Sequence, residues 1–148
     1  MQTNFVQEHV SKPRLWAGKI ISGLLVAFLI FDGVTKVIQT DAVVKGSEQL
    51  GLPAATTPVI GFVLLICTAI YVFPATRILG AILLTGYLGG AIAMHVRAGN
   101  GAFPVIFSAV YGVLIWVGLV LLEPWLFGLI VLRQWPRKAQ LPLPVFEE

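Results

Sequence analysis

Two short spacings carry most of the chemistry this sequence offers. Asp32 and Lys36 stand four residues apart in FDGVTKV, and His95 and Arg97 stand two apart in AMHVRAG. On a helix, a carboxylate and an ammonium four apart face each other and form an ion pair. An imidazole and a guanidinium at a helix end supply hydrogen-bond donors for an oxygen-bearing ligand. Both pairs sit in apolar surroundings, where charge is costly and usually faces a helix-bundle interior or water.

No catalytic constellation accompanies them. Cys67 is the only cysteine, which rules out an intrachain disulfide and C-x-x-C redox chemistry. It falls mid-segment among apolar residues and reads as a small packing residue. No Cys/His spacing suits zinc and no glycine-rich phosphate loop follows a strand, so neither a metal site nor a required cofactor is legible. His9 and His95 are the only histidines, and His9 lies in the polar N-terminal arm, which argues against a bis-histidine haem within one chain. Asp32, Lys36, His95 and Arg97 therefore stand as ligand-binding candidates, with no catalytic residue assigned. The competing reading is interfacial anchoring. In it Lys36 and Arg97 snorkel to headgroups, Asp32 neutralises Lys36, and His95 caps its helix against the dipole. Asp32 fits anchoring least, because a short acidic side chain cannot snorkel far.

The elements that must position these residues are membrane helices. The chain of 148 residues is 57% hydrophobic and 11% charged, with a mean hydropathy of +0.90, whereas soluble domains carry about 25% charged residues. Leu52–Thr76 and Ala98–Leu122 contain no charged residue, and a bilayer span needs about 20 predominantly apolar residues. Ile60–Phe73 offers only Cys67, Thr68 and Tyr71 as a polar stripe, too little for a water-facing helix. The segments do not alternate as transmembrane strands would. The expected fold is an all-α, four-transmembrane-helix bundle with spans at about 15–38, 56–73, 75–97 and 103–122. A polar arm (1–14) precedes this domain (15–132) and a proline-containing tail (133–148) follows it. Pro53, Pro58, Pro74 and Pro104 punctuate helix starts, and Pro124 ends or kinks the last span before an interfacial segment at 125–132.

Basic residues set the orientation, since Lys and Arg are retained on the cytoplasmic side. Lys12, Arg14, Lys19, Arg77, Arg133, Arg137 and Lys138 fall on one side, against Lys36, Lys45 and Arg97 on the other, seven to three. Both termini are expected to be cytoplasmic. The first span is too long for a signal-peptide core and lacks a small-residue cleavage site, so it reads as an uncleaved anchor. The net charge of +3 follows from this topology and gives no reason to expect nucleic acid. Asp32 and Lys36 then share the outer leaflet with His95 and Arg97. Glu123 and Arg77 are placed to pair at the cytoplasmic end. The outer connection at 41–58 is long enough for a short helix, N-capped by Asp41 and stopped at Gly51-Leu52-Pro53, serving as a lid or as an interface filler.

Small residues mark where membrane helices meet. Gly86-x-x-x-Gly90 and Gly89-x-x-x-Ala93 give the third span a smooth surface, answered by Ser108-x-x-x-Gly112 in the fourth span and Gly18-x-x-x-Ser22 in the first. The expectation is packing within one bundle, with a dimer face as the alternative. Thr68, Thr85 and Ser108 can each bond a carbonyl one turn back.

FDGVTKV (31–37), LGLP (50–53), PVIGFVLL (58–65), RILGAILLTGYLGGAIAMHVRAG (77–99) and VYGVLIWVGLVL (110–121) together resemble the DoxX-like family of small membrane proteins. The resemblance implies a four-helix, multi-pass protein of the bacterial inner membrane. The family takes its name from a subunit of thiosulfate:quinone oxidoreductase. Asp32, Lys36, His95 and Arg97 match its pattern, with no established role to carry over. Many members bear an acidic residue where this chain reads LLICTAIY (64–71). Three functions fit. The first is a non-catalytic accessory or assembly subunit of membrane redox metabolism, partnered by another membrane redox protein or by a second copy. The second is a quinone-binding protein, with His95 and Arg97 on the quinone oxygens and Trp116 or Tyr87 along the ring. The third is a small-solute transporter with Asp32 as a proton or cation site, although no inverted repeat is apparent.

Overall fold

In the computed structural model, residues 12–123 and Leu126 are described. They form five α-helices and no strand: α1 (Lys12–Val37), α2 (Asp41–Gln49), α3 (Thr56–Val72), α4 (Arg77–Ala98) and α5 (Ala102–Leu122). The expected interfacial segment at 125–132, His9, most of the N-terminal arm and the tail at 133–148 lie outside the described residues, apart from Leu126.

Local chemistry explains the breaks. The α1 helix ends as Gln39 turns left-handed at φ 53°, an uncommon conformation for a residue with a Cβ. Its side chain donates to the Ala54 carbonyl at 2.8 Å, which holds the turn against the loop before α3. The α2 helix closes with Gly51 at φ 72°, as expected from Gly51-Leu52-Pro53. The Gly51 and Leu52 amides donate to the Glu48 and Ser47 carbonyls at 2.9 and 3.0 Å, a paired helix-terminating arrangement that glycine enters without steric cost. Asp41 is not the N-cap: Thr40 occupies that position without a side-chain capping bond, and Asp41 stands in the first turn, where its charge complements the helix dipole. Pro74 opens a 3₁₀ turn (Pro74–Thr76) between α3 and α4, and Pro104 sits in the first turn of α5.

Helices α1 and α4 each pack against both α3 and α5, so the four long helices close into a ring, while α2 lies on α1 and α3. Leu64, Ala81, Leu84, Ile115 and Leu119 are fully buried at its centre, with Leu25 and Leu29 beside them. The outer faces are apolar too: Trp16, Leu24, Phe31, Phe62, Ile66 and Phe103 are all exposed. Apolar side chains on both faces are what a hydrocarbon solvent requires. Three stretches are long and apolar enough to cross a membrane: Lys12–Val37, Pro74–Ala98 and Ala102–Leu122. Helix α3 is as apolar but has 17 residues, about 25 Å of helix.

The closest helix contacts are not where the small-residue spacing put them. A Cβ built on Gly86, Gly89 or Gly90 meets nothing within 4 Å, and one on Gly112 meets only Leu88 Cδ1 at 3.9 Å. Ala93 is exposed, and of this set only Ser108 is buried. The tight approaches occur elsewhere. Gly61 of α3 sits against α1, where a Cβ would lie 2.8 Å from the Gly33 carbonyl oxygen, and Gly80 of α4 packs directly on the Tyr71 backbone. Helix α3 thus meets α1 near its own start and α4 near its own end. Farther along α4, Gly86 and Gly90 have no neighbouring helix within reach of a Cβ. The expectation held for Gly18 and Ser22, both buried against α5.

The end nearest the Pro74 turn is tied by polar contacts. The Tyr71 hydroxyl donates to the Ile115 carbonyl at 3.2 Å and lies 3.3 Å from Ser22 Oγ, joining α3, α5 and α1. Arg14 Nη2 donates to the Val120 carbonyl at 3.2 Å, and Arg77 pairs with Glu123 at 3.5 Å, as their positions suggested.

Candidate functional site: a cavity beneath α2

A cavity of about 660 Å³ lies at the α2 end of the ring. All four long helices wall it, and Ser47 of α2, with Leu50 and Leu52 just after that helix, also lines it. Its polar side is built by α1 and α4. Four-residue spacing puts Asp32 and Lys36 on one face of α1, where the Lys36 ammonium donates to Asp32 Oδ1. Their side chains keep 31% and 22% of their exposure, so the pair is shielded yet reachable from the cavity. His95 faces the same space from the last turn of α4. That helix ends at Gly99 (φ 67°), whose amide and that of Asn100 return to the Val96 and His95 carbonyls. His95 Nδ1 lies 3.5 Å from Asn100 Nδ2, a long contact that leaves the imidazole loosely held.

The rest of the wall is apolar and aromatic. Phe28 of α1 and Phe107 and Tyr111 of α5 form one cluster, with Phe28–Tyr111 and Phe107–Tyr111 centroids 4.6 Å apart and Phe28–Phe107 at 5.5 Å. These separations lie in the attractive range for aromatic pairs. All three rings line the cavity, together with Tyr87. Gly86, Gly90 and Ala93 give it a floor without bulk.

Three of the four candidate residues, Asp32, Lys36 and His95, thus converge on one cavity. Arg97 does not: it is exposed on the last turn of α4 and does not line the space. Trp116 is also elsewhere. It lines a separate apolar groove between α4 and α5, with its indole N–H donated to Thr85 Oγ1 at 2.9 Å. Thr68 and Thr85 bond the Leu64 and Ala81 carbonyls one turn back, at 2.8 and 2.7 Å. In LLICTAIY, Leu64, Cys67, Thr68 and Tyr71 turn into the core, so α3 brings no carboxylate to the cavity. Among the described residues no three His, Cys, Asp or Glu side chains gather as a metal site.

Sequence reasoning missed Phe28, Tyr111 and Thr57 as lining residues. Phe28 stands one turn before Asp32 and Tyr111 one turn after Phe107, a spacing that puts each pair on one side of its helix. Thr57 had no such signal: it is one of two adjacent threonines before Pro58. It is 2% exposed, and its hydroxyl has no partner among the described residues.

Apolar helices closed around a partly polar cavity define a multi-pass membrane protein. The chain belongs to the DoxX-like family, whose family profile matches residues 20–118. That match runs from early α1 to late α5 and takes in every residue of the cavity wall. No curated protein and no solved structure matches the chain.

Proposed function

We propose that this chain is a four-span protein of the bacterial inner membrane, with both termini cytoplasmic, that serves membrane redox metabolism as a non-catalytic accessory subunit binding a quinone in the cavity beneath α2. The observation that carries this reading is the make-up of that cavity. Asp32 and Lys36 cancel each other's charge inside it, so its ligand needs no net charge. His95 and the spare Lys36 protons are donors suited to a neutral acceptor such as a quinone carbonyl. Phe28, Tyr87, Phe107 and Tyr111 supply the apolar wall that a flat ring requires, in the mostly apolar, sparsely polar pattern of small-molecule sites. The volume of about 660 Å³ falls within the ordinary range for such ligands.

Four spans follow if α3 crosses with the others. Its unbroken apolar surface and its place in the ring between α1 and α4 support this, and a helix short of the roughly 30 Å core is accommodated by local thinning of the bilayer. Lys12, Arg14, Lys19 and Arg77 then share the cytoplasmic side. The site is tested by titrating decylubiquinone into the protein in lipid nanodiscs. Saturable binding that weakens several-fold in His95→Ala supports the reading. Absence of binding, or binding indifferent to His95→Ala, overturns it.

A further inference from the structure

The lining of the cavity is not confined to one side of α4. Leu84 and Leu88 are buried in the core and mark the inner side of that helix. Gly86 and Gly90 each stand two residues from Leu88, about 200° around the helix. Both are exposed, yet both line the cavity together with Leu88. Ala93, seven residues after Gly86 and so on the same side, is also exposed and also lines it. A space enclosed by the ring of helices would touch only their inner sides. This one passes around an edge of α4 and reaches the surface that faces lipid.

The edge it passes is the one beside α3. Thr85, Gly89 and Ile92 occupy the α5 edge, where they line the separate groove with Gly112 and Trp116, and none of the three lines the cavity. Tyr87 and Met94 occupy the opposite edge and do line it, facing Ile60 of α3 across the seam. Nearer the Pro74 turn this seam is shut, with Gly80 directly on the Tyr71 backbone, whereas a Cβ on Gly86 or Gly90 meets nothing within 4 Å. The other seams are crossed by contacts. Phe28 stacks on Phe107 and Tyr111 between α1 and α5, Gly33 lies on Gly61 between α1 and α3, and the Trp116–Thr85 hydrogen bond spans α4 and α5.

We propose that the cavity opens sideways into the bilayer between α3 and α4, past Ile60 and Gly90, and that the isoprenoid tail of its quinone leaves through this opening to lie along α4 over Gly86, Gly90 and Ala93. This rests on the cavity being a quinone site and assigns the route by which the ligand enters and the place its tail occupies. The head, with its oxygens, stays beside Lys36 and His95, while the tail remains in hydrocarbon. A ligand dissolved in the membrane thus reaches the site without crossing water. The glycines serve this passage. Neither has positive φ, so the backbone does not require them, and glycine within a helix is less favourable than alanine. What they leave, at the opening and along the outer face, is room for a chain to pass close to the helix backbone.

The test uses the protein in lipid nanodiscs and decylubiquinone bearing a diazirine at the end of its tail, photolysed and then digested with trypsin. Cleavage after Lys19, Lys36, Lys45, Arg77, Arg97 and Arg133 puts α3, α4 and α5 on separate peptides, 46–77, 78–97 and 98–133, with most of α1 on 20–36. Insertion is expected in 46–77 and 78–97, and is expected to disappear with excess unlabelled decylubiquinone and in His95→Ala. Competed insertion in 98–133 or 20–36 instead overturns the route while the quinone site stands. Titration of decylubiquinone gives a second readout. Gly90→Leu fills the opening and is expected to bind about tenfold more weakly. Gly89→Leu, one residue away and turned toward α5, is expected to bind as wild type does. Equal binding by Gly90→Leu and wild type, or equal weakening by Gly89→Leu, overturns the opening and leaves the quinone site standing. If Gly90→Leu does not fold, the labelling of wild type decides. If wild type neither binds nor shows competed insertion, the quinone reading and this route fall together.

Discussion

The substitution of alanine for glycine should have opposite effects at two places on α4, ten residues apart. At Gly80 a new Cβ overlaps the Tyr71 backbone and lies 2.7 Å from Tyr71 Cβ. To reach even the 3.4 Å at which ordinary contact begins, α3 and α4 must part by at least 0.7 Å. Backbone cannot rotate away as the tip of a side chain can. Overpacking of this kind costs about 1–3 kcal/mol. The shift also strains the Tyr71 hydroxyl bonds to the Ile115 carbonyl and Ser22, already 3.2 and 3.3 Å long, which adds about 0.5–1.5 kcal/mol for each one lost. The helix-propensity gain of about 1 kcal/mol offsets part of this. Gly80→Ala is therefore expected to destabilise by about 2–4 kcal/mol. Gly90→Ala meets no neighbour and keeps only the propensity gain, about 0.5–1 kcal/mol of stabilisation.

The molecule supplies its own reporter for the measurement. Cys67 is the only cysteine in the chain and is buried at 7% exposure in the α3 core. A fluorogenic maleimide added during a thermal ramp therefore reads the unfolding of α3 from its neighbours. Gly80→Ala should expose the thiol at a distinctly lower temperature than wild type, and Gly90→Ala at the same or a higher one. A Gly80→Ala protein as stable as wild type, or a Gly90→Ala protein equally damaged, would refute the argument that neighbouring backbone decides the role of each glycine.

Three further outcomes follow from the same contacts. Tyr71→Phe keeps the buried ring and loses both hydroxyl bonds, so it should cost about 1–2 kcal/mol in the Cys67 assay, while Ser22→Ala costs less. Asp32→Ala and Lys36→Met should each destabilise, and the double variant should be less damaged than their sum by about 0.5–1 kcal/mol, because either partner alone is left as an unpaired charge. A cysteine at position 45 in a Cys67→Ala background should react with an impermeant maleimide from outside intact cells, and one at position 75 only after permeabilisation. The reverse pattern would invert the proposed orientation.

Much of the helical framework was legible because it depends on residue type alone. Uncharged runs and prolines such as Pro74 and Pro104 act locally, so the breaks between helices follow from the sequence around them. The ion pair of Asp32 and Lys36 was legible for the same reason, being set by a four-residue spacing on one helix. The neighbours of α4 were not. GxxxG spacing states that a helix has a smooth face, but not that another helix reaches it. That depends on where α3 is pinned, namely by Gly61 at Gly33 and by Tyr71 at Gly80, and none of these contacts is local in sequence. Arg97 misled for a related reason. Two residues along a helix turn a side chain through about 200°, so His95 and Arg97 cannot face the same space. Thr57 was invisible because a lack of partners is a property of the folded neighbourhood, not of the residue.

The two ends of the ring solve different problems with the same residue types. Near the Pro74 turn, glycine lets backbones touch, and Tyr71, Ser22, Arg14 and Arg77 tie all four helices together. Near α2, glycine is left facing open space, the charges neutralise each other, and aromatic rings pack on one another along one wall. A hollow in a membrane protein persists only if the helices around it cannot collapse inward. Gly80 on Tyr71 and Gly61 on Gly33 fix α3 at both ends, to different partners, so α3 cannot swing across to fill the gap beside Gly86 and Gly90. The tight contacts thereby maintain the cavity from a distance. A substitution that loosens Gly80 should therefore disturb ligand binding beneath α2 as well as stability, although Gly80 touches no residue of the cavity's polar side.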